Sequence, residues 1–132
     1  MGQPVVHFEI IGSDPGKLRG YYGDLFGWEF HTGDAATEKV SAPGEYGFVQ
    51  GGEVVEATGT TGIPGGVGGG PGYQQRVLFY VGVDSVEEAL AKAESLGGKR
   101  VMGPEPAEGG AFTVGHFLDP EGNLIGVAGP PA

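Results

Sequence analysis

Cysteine is absent from the 132 residues, which excludes disulfides, thiol nucleophiles and thiolate metal sites and leaves the redox compartment open. Basic residues are scarce. Seven Lys and Arg stand against 17 Asp and Glu, for a formal charge of −10. Such a chain repels phosphate backbones and anionic lipid, so neither nucleic acid nor a membrane surface is an expected partner. Long apolar runs are missing too: the richest, Val77–Val81, has five residues against the roughly 18 of a membrane span. Met1-Gly2-Gln3-Pro4 leads directly into strand-like residues without a signal-peptide core, and the expected location is the cytoplasm. No Lys-Ser/Thr follows a glycine loop and no G-x-S-x-G is present, so P-loop nucleotide binding and serine hydrolysis are set aside.

Glycine, by contrast, is abundant. The chain holds 29 Gly and 10 Pro, a level of about 30% at which disorder becomes a fair suspicion. Much of the excess is local: Gly62–Gly72 contains seven glycines and two prolines and reads as a flexible connection. Elsewhere apolar residues recur with clear periods, and seven Phe, five Tyr and one Trp can fill a core.

Those periods repeat. Val5–Ile11 is strand-like, and Ser13-Asp14-Pro15 offers a helix cap with proline at the first helical position. Leu18, Tyr21, Tyr22, Leu25 and Phe26 then form a helical apolar stripe closed by Gly27. In the second half Val77–Val83 is the strand, and Asp84 or Ser85 caps the helix, Ser85 with Glu88 as a capping box. Val86, Ala89, Leu90, Ala93 and Leu96 form its stripe, closed by Gly97-Gly98. At a constant offset of 70, Gly12 matches Gly82, Asp14 matches Asp84 and Gly27 matches Gly97. Three strands are expected after each helix, near 28–32, 46–50 and 53–60 and again near 99–102, 111–118 and 123–128. The expected fold is α+β: two tandem βαβββ modules, about 1–61 and 73–132, joined by the linker 62–72. Their curved sheets would pair around an open barrel-like cleft with the helices outside, and that cleft is the expected binding site.

Three segments carry a family resemblance: the opening VVHFEIIGSDPGKLRGYYGDLFGWEF, FYVGVDSVEEALAKAESLGGK, and the closing FLDPEGNLIGV. Together they resemble the vicinal oxygen chelate superfamily of glyoxalases, bleomycin-resistance proteins and extradiol dioxygenases. Phe8-Glu9-Ile10 is similar to the first strand of its glyoxalase-like subgroup. The resemblance implies paired modules, frequent homodimers, and in metal-dependent members a divalent ion held by His or Glu of the first and last strands of each module. His7 occupies the first-strand ligand position. The second-module position falls at Val77 or Leu78, which bind no metal, and the last-strand position, seven residues after Asp119, falls at Gly126. The remaining ligand would lie near Thr60, with Glu56 the nearest carboxylate.

Strand alternation places His7 and Glu9 on one face and Phe8 and Ile10 on the other. His7 and Glu9 are therefore the candidate acid–base pair; plain hydrogen bonding in a wet pocket is the competing reading. Tyr80 and Leu78 share a face and, with Gly126 and His116, are the candidate ligand-binding residues. The parity of His116 against Phe117 is left open here, as is the simple packing role of an aromatic on a strand. The expected function is binding of a small organic ligand without the usual metal. The alternative is a lyase, isomerase or dioxygenase of glyoxalase type, using Zn, Ni, Mn or Fe at His7 with Glu56, or metal-free chemistry by His7 and Glu9.

Overall fold

The structure is a computed structural model and describes residues 2–132. Its contacts divide the chain into two units: His7–Val77, and the segment up to Val6 together with Leu78–Ala132. The protein is α+β, and each unit follows the same plan.

In the first unit, β1 (Val5–Gly12) leads into α1 (Pro15–Phe26). Asp14 caps the helix by accepting the Lys17 N–H, Pro15 stands where no amide donor is needed, and Gly27 ends it with φ +71. β2 (His31–Gly33), β3 (Tyr46–Val49) and β6 (Gly65–Gly69) complete a sheet in the order β2-β3-β6-β1. β3 runs antiparallel to both β2 and β6, and β6 runs parallel to β1. The segment expected to give the third strand, 53–60, is instead a small exposed hairpin of β4 (Val54–Val55) and β5 (Thr60–Thr61).

The Gly-rich run departs most from its sequence reading. Rather than a connection, Gly65–Gly69 is a wholly buried strand between β1 and β3. The physical reason is lateral room. A Cβ on Gly65 would fall inside the Phe8 ring, one on Gly66 inside the Tyr46 ring, and one on Gly69, at φ +123, against the Gly12 carbonyl. Only the lack of a side chain at these three positions lets the rings and backbones come so near.

The second unit repeats the pattern with β7 (Arg76–Gly82), α2 (Val86–Ser95), β8 (Lys99–Pro106), β9 (Thr113–Leu118) and β10 (Leu124–Gly129), in the order β7-β10-β9-β8. β10 is parallel to β7 and antiparallel to β9. Ser85, not Asp84, caps α2 and accepts the Glu88 N–H. Val86 and Leu90 of α2 bury against Val127, with Phe117 packed on the same cluster. Gly115 lies beneath Leu90, where a Cβ would collide with the leucine. The turn into β10 is built by Asp119, whose Oδ1 accepts from the Glu121 and Asn123 amides. Those bonds, the Asn123 side chain first, hold the Asp119 carboxyl below the usual carboxylate range. Only part of the α1 stripe is covered: Leu18 and Tyr22 are half-buried, whereas Tyr21 and Phe26 are 60% and 58% exposed.

Candidate functional site

In the first unit, the face of β1 that carries His7 and Glu9 receives a third group that sequence reading did not single out. Tyr46, on β3, reaches over Gly66 of the intervening β6. Its hydroxyl donates to Glu9 Oε1 at 2.8 Å and lies 2.9 Å from His7 Nε2. Tyr46 and Glu9 are each only 2% exposed. A tyrosine has one proton to give. With that proton directed at Glu9, the second bond needs His7 to donate from Nε2, which leaves the imidazole lone pair on Nδ1. Burial pushes the His7 pKa below the ordinary 6.5 and favours the neutral ring. The expected side-by-side placement of His7 and Glu9 thus holds, with Tyr46 as the bridge between them.

The second unit holds a related arrangement. Gly126 pairs across β10 with Tyr80 on one side and His116 on the other. The Tyr80 hydroxyl and His116 Nε2 are 2.7 Å apart, and His116 is 1% exposed. Leu78 and Tyr80 are both buried, while Val77 and Phe79 are exposed, as strand alternation requires. His116 therefore points to Tyr80, and its neighbour Phe117 to the helix-side core. A Cβ on Gly126 would fall inside the Tyr80 ring, so the position aligned with a metal-ligating carboxylate is one where the tyrosine fills the space. Tyr46 and His116 are 70 residues apart, the same offset that relates the two helices; extending that offset along the strands would have drawn attention to Tyr46.

Metal ligation fits these residues poorly. Glu56 lies in the exposed turn of the β4–β5 hairpin, whereas His7 is part-buried in β1. Among the described residues no three His, Asp or Glu side chains come together in a way that could hold a metal ion, and ions of this kind take three or four protein ligands. His31 and Trp28 border a separate cavity of about 410 Å³ in the first unit, along with Phe8, Glu53 and Ile63. Trp28 packs there against Phe8, Tyr22 and Phe26.

The repeated strand order and the residues on it define a class. The chain belongs to the Glyoxalase/Bleomycin resistance protein/Dioxygenase superfamily, which it matches over residues 5–127. Among solved structures, it is similar to a Streptomyces coelicolor methylmalonyl-CoA epimerase in complex with 2-nitronate-propionyl-CoA. That likeness has 14% identity, a TM-score of 0.64, and covers 98% of this chain and 99% of that one. A hypothetical protein from Bacillus halodurans gives 14% identity and a TM-score of 0.65, over 100% of this chain and 97% of that one. A Legionella pneumophila protein described as NAD-dependent benzaldehyde dehydrogenase gives 11% and 0.59, over 94% and 97%. At these identities the likeness is one of fold. No curated protein matches the sequence. Among the described residues no helix is long and apolar enough to cross a membrane.

Proposed function

We propose that this protein binds a small organic molecule bearing a carbonyl or hydroxyl group at the Tyr46-centred group of the first unit, without the divalent ion used by metal-dependent relatives. The observation that carries the reading is the single hydroxyl of Tyr46 bonded to His7 and Glu9 at once. It fixes which nitrogen of His7 bears a proton and sets the Nδ1 lone pair in place as an acceptor before any ligand arrives. Tyr80 and His116 offer a second buried polar pair of the same kind.

A second reading rests on the lowered His7 pKa: a neutral imidazole backed by Tyr46 and Glu9 is suited to accept a proton from a carbon acid or a hydroxyl, as a metal-independent lyase or isomerase requires. The epimerase whose fold it shares is described in complex with an acyl-CoA; here the substrate class is taken no further than a small carbonyl compound. A homodimer in the cytoplasm completes the proposal, on the habit of the family.

The test is titration of pyruvate, methylglyoxal and catechol into the full chain in EDTA, followed by amide proton–nitrogen spectra. The expected result is binding by at least one of them with shifts at Glu9 and Tyr46, weakened at least tenfold by Tyr46→Phe. Binding that appears only on adding zinc, nickel, manganese or ferrous ion, and is lost in His7→Ala, would instead establish the metal-dependent alternative.

A further inference from the structure

We propose that the first unit carries a second ligand site, for a small alkylated ammonium ion, in the cavity of about 410 Å³ beside the C-terminal end of α1. Phe8, its one β1 residue, is opposite in parity to His7 and Glu9, so the site stands on the other face of the strand from the Tyr46 group. Three rings border the cavity, those of Phe8, Phe26 and Trp28. Trp28 joins them, its ring centre 5.3 Å from that of Phe8 and 5.2 Å from that of Phe26. This wall is open to a ligand: Phe26 is 58% exposed, Ile63 beside it on the border is 39% exposed, and Trp28 is only half-buried.

Charge decides what such a wall would take. Glu29 and Glu53 bring two carboxylates to the border of the cavity. Among the described residues its lining holds no Lys or Arg, and His31 is its one basic side chain. Among the same residues neither carboxylate forms an ion pair. The backbone fixes where Glu53 stands: Gly62 donates to its carbonyl at 2.8 Å, and Gly52 donates to the Gly62 carbonyl at 2.9 Å. Those bonds set Glu53 across from Gly62 and Ile63 at the foot of the β4–β5 hairpin. In a chain of charge −10, a recess with two carboxylates and low-dielectric ring walls concentrates negative potential, which repels anions and draws cations. A bare metal ion does not fit, because no three His, Asp or Glu side chains come together among the described residues and aromatic rings give it no ligands. An ammonium bearing methyl groups fits both features. Its charge is answered by the carboxylates and the ring faces, and its carbons by the rings and Ile63.

Choline and 3,3-dimethylbutanol share a shape and differ in charge, and Trp28 is the single tryptophan of the chain. The test is titration of the full chain with each, and with ammonium chloride, followed by Trp28 emission and by calorimetry. Choline is expected to change the emission saturably and to bind at least tenfold tighter than the alcohol or the ammonium ion. That advantage is expected to fall at least fivefold in the double variant Glu29→Gln/Glu53→Gln and to persist in Tyr46→Phe. Absence of choline binding or a smaller margin overturns the proposal, as does an advantage that survives the double variant. If that variant does not fold, amide spectra of the unaltered protein decide. Shifts on adding choline at Trp28, Glu29 and Ile63 support the site, and shifts confined elsewhere overturn it. The Tyr46 reading stands or falls separately, since its own ligands are followed at Glu9 and Tyr46.

Discussion

Gly126 and Gly66 omit a side chain so that a tyrosine can cross the sheet, Tyr80 over one and Tyr46 over the other. Restoring even a methyl group has a calculable consequence. Gly126→Ala forces a Cβ into a buried ring that is also hydrogen-bonded to His116, and overpacking of this kind costs about 1–3 kcal/mol. An unfolding free energy in urea lowered by that amount is expected, and Tyr80→Leu in the same chain is expected to recover part of it; no change in the free energy would contradict the packing. His7 adds a pH dependence whose sign follows from its lowered pKa. The unfolded chain takes up its proton near 6.5, before the folded one does, so stability is lost as pH falls from about 6.5 towards the folded value. Melting curves from pH 7 to 5 are expected to show a smaller fall in His7→Gln than in the unaltered protein. At this scale the sequence disclosed His7 and Glu9 through strand alternation. Tyr46 was hidden because its contact depends on what a neighbouring strand omits.

At the scale of elements, the helix ends were legible because capping chemistry is local: Asp14, Pro15, Gly27 and Ser85 each act within one turn of their own position. β6 was illegible for the opposite reason. Glycine disfavours strands by its own tendencies, and only the Phe8 and Tyr46 rings supplied by β1 and β3 turn Gly65 and Gly66 into a fit. Hydrogen exchange separates the two views. The amides of Gly66–Gly68 are expected to be protected to the same degree as those of β1, whereas a flexible connection would exchange within seconds. Gly69→Ala, which would drive a Cβ into the Gly12 carbonyl at φ +123, is expected to cost more than about 2 kcal/mol by chemical denaturation. The stripe of α1 is present but only partly covered. Periodicity names the apolar face of a helix but not how much of it the sheet covers, and Tyr21 and Phe26 remain in solvent.

For the whole molecule, the repeat at an offset of 70 was the most informative feature, since it carries over to strand order in both units. What a fold of this family does is set by its site, and here two of the positions aligned with metal ligands hold Val77 or Leu78 and Gly126, while Tyr46 and Tyr80 bring in hydroxyl groups. Sedimentation at micromolar concentration is expected to give a dimer; a monomer under those conditions would remove dimerisation from the account. The most direct test of its central claim, that burial keeps His7 neutral while the Tyr46–Glu9 bond sets its proton on Nε2, is a nitrogen NMR titration of the imidazoles. The account predicts for His7 a neutral ring protonated on Nε2 at pH 7, a midpoint below 6.5, and a change of tautomer balance in Tyr46→Phe. A His7 ring protonated on Nδ1, or one charged at pH 7, would contradict it.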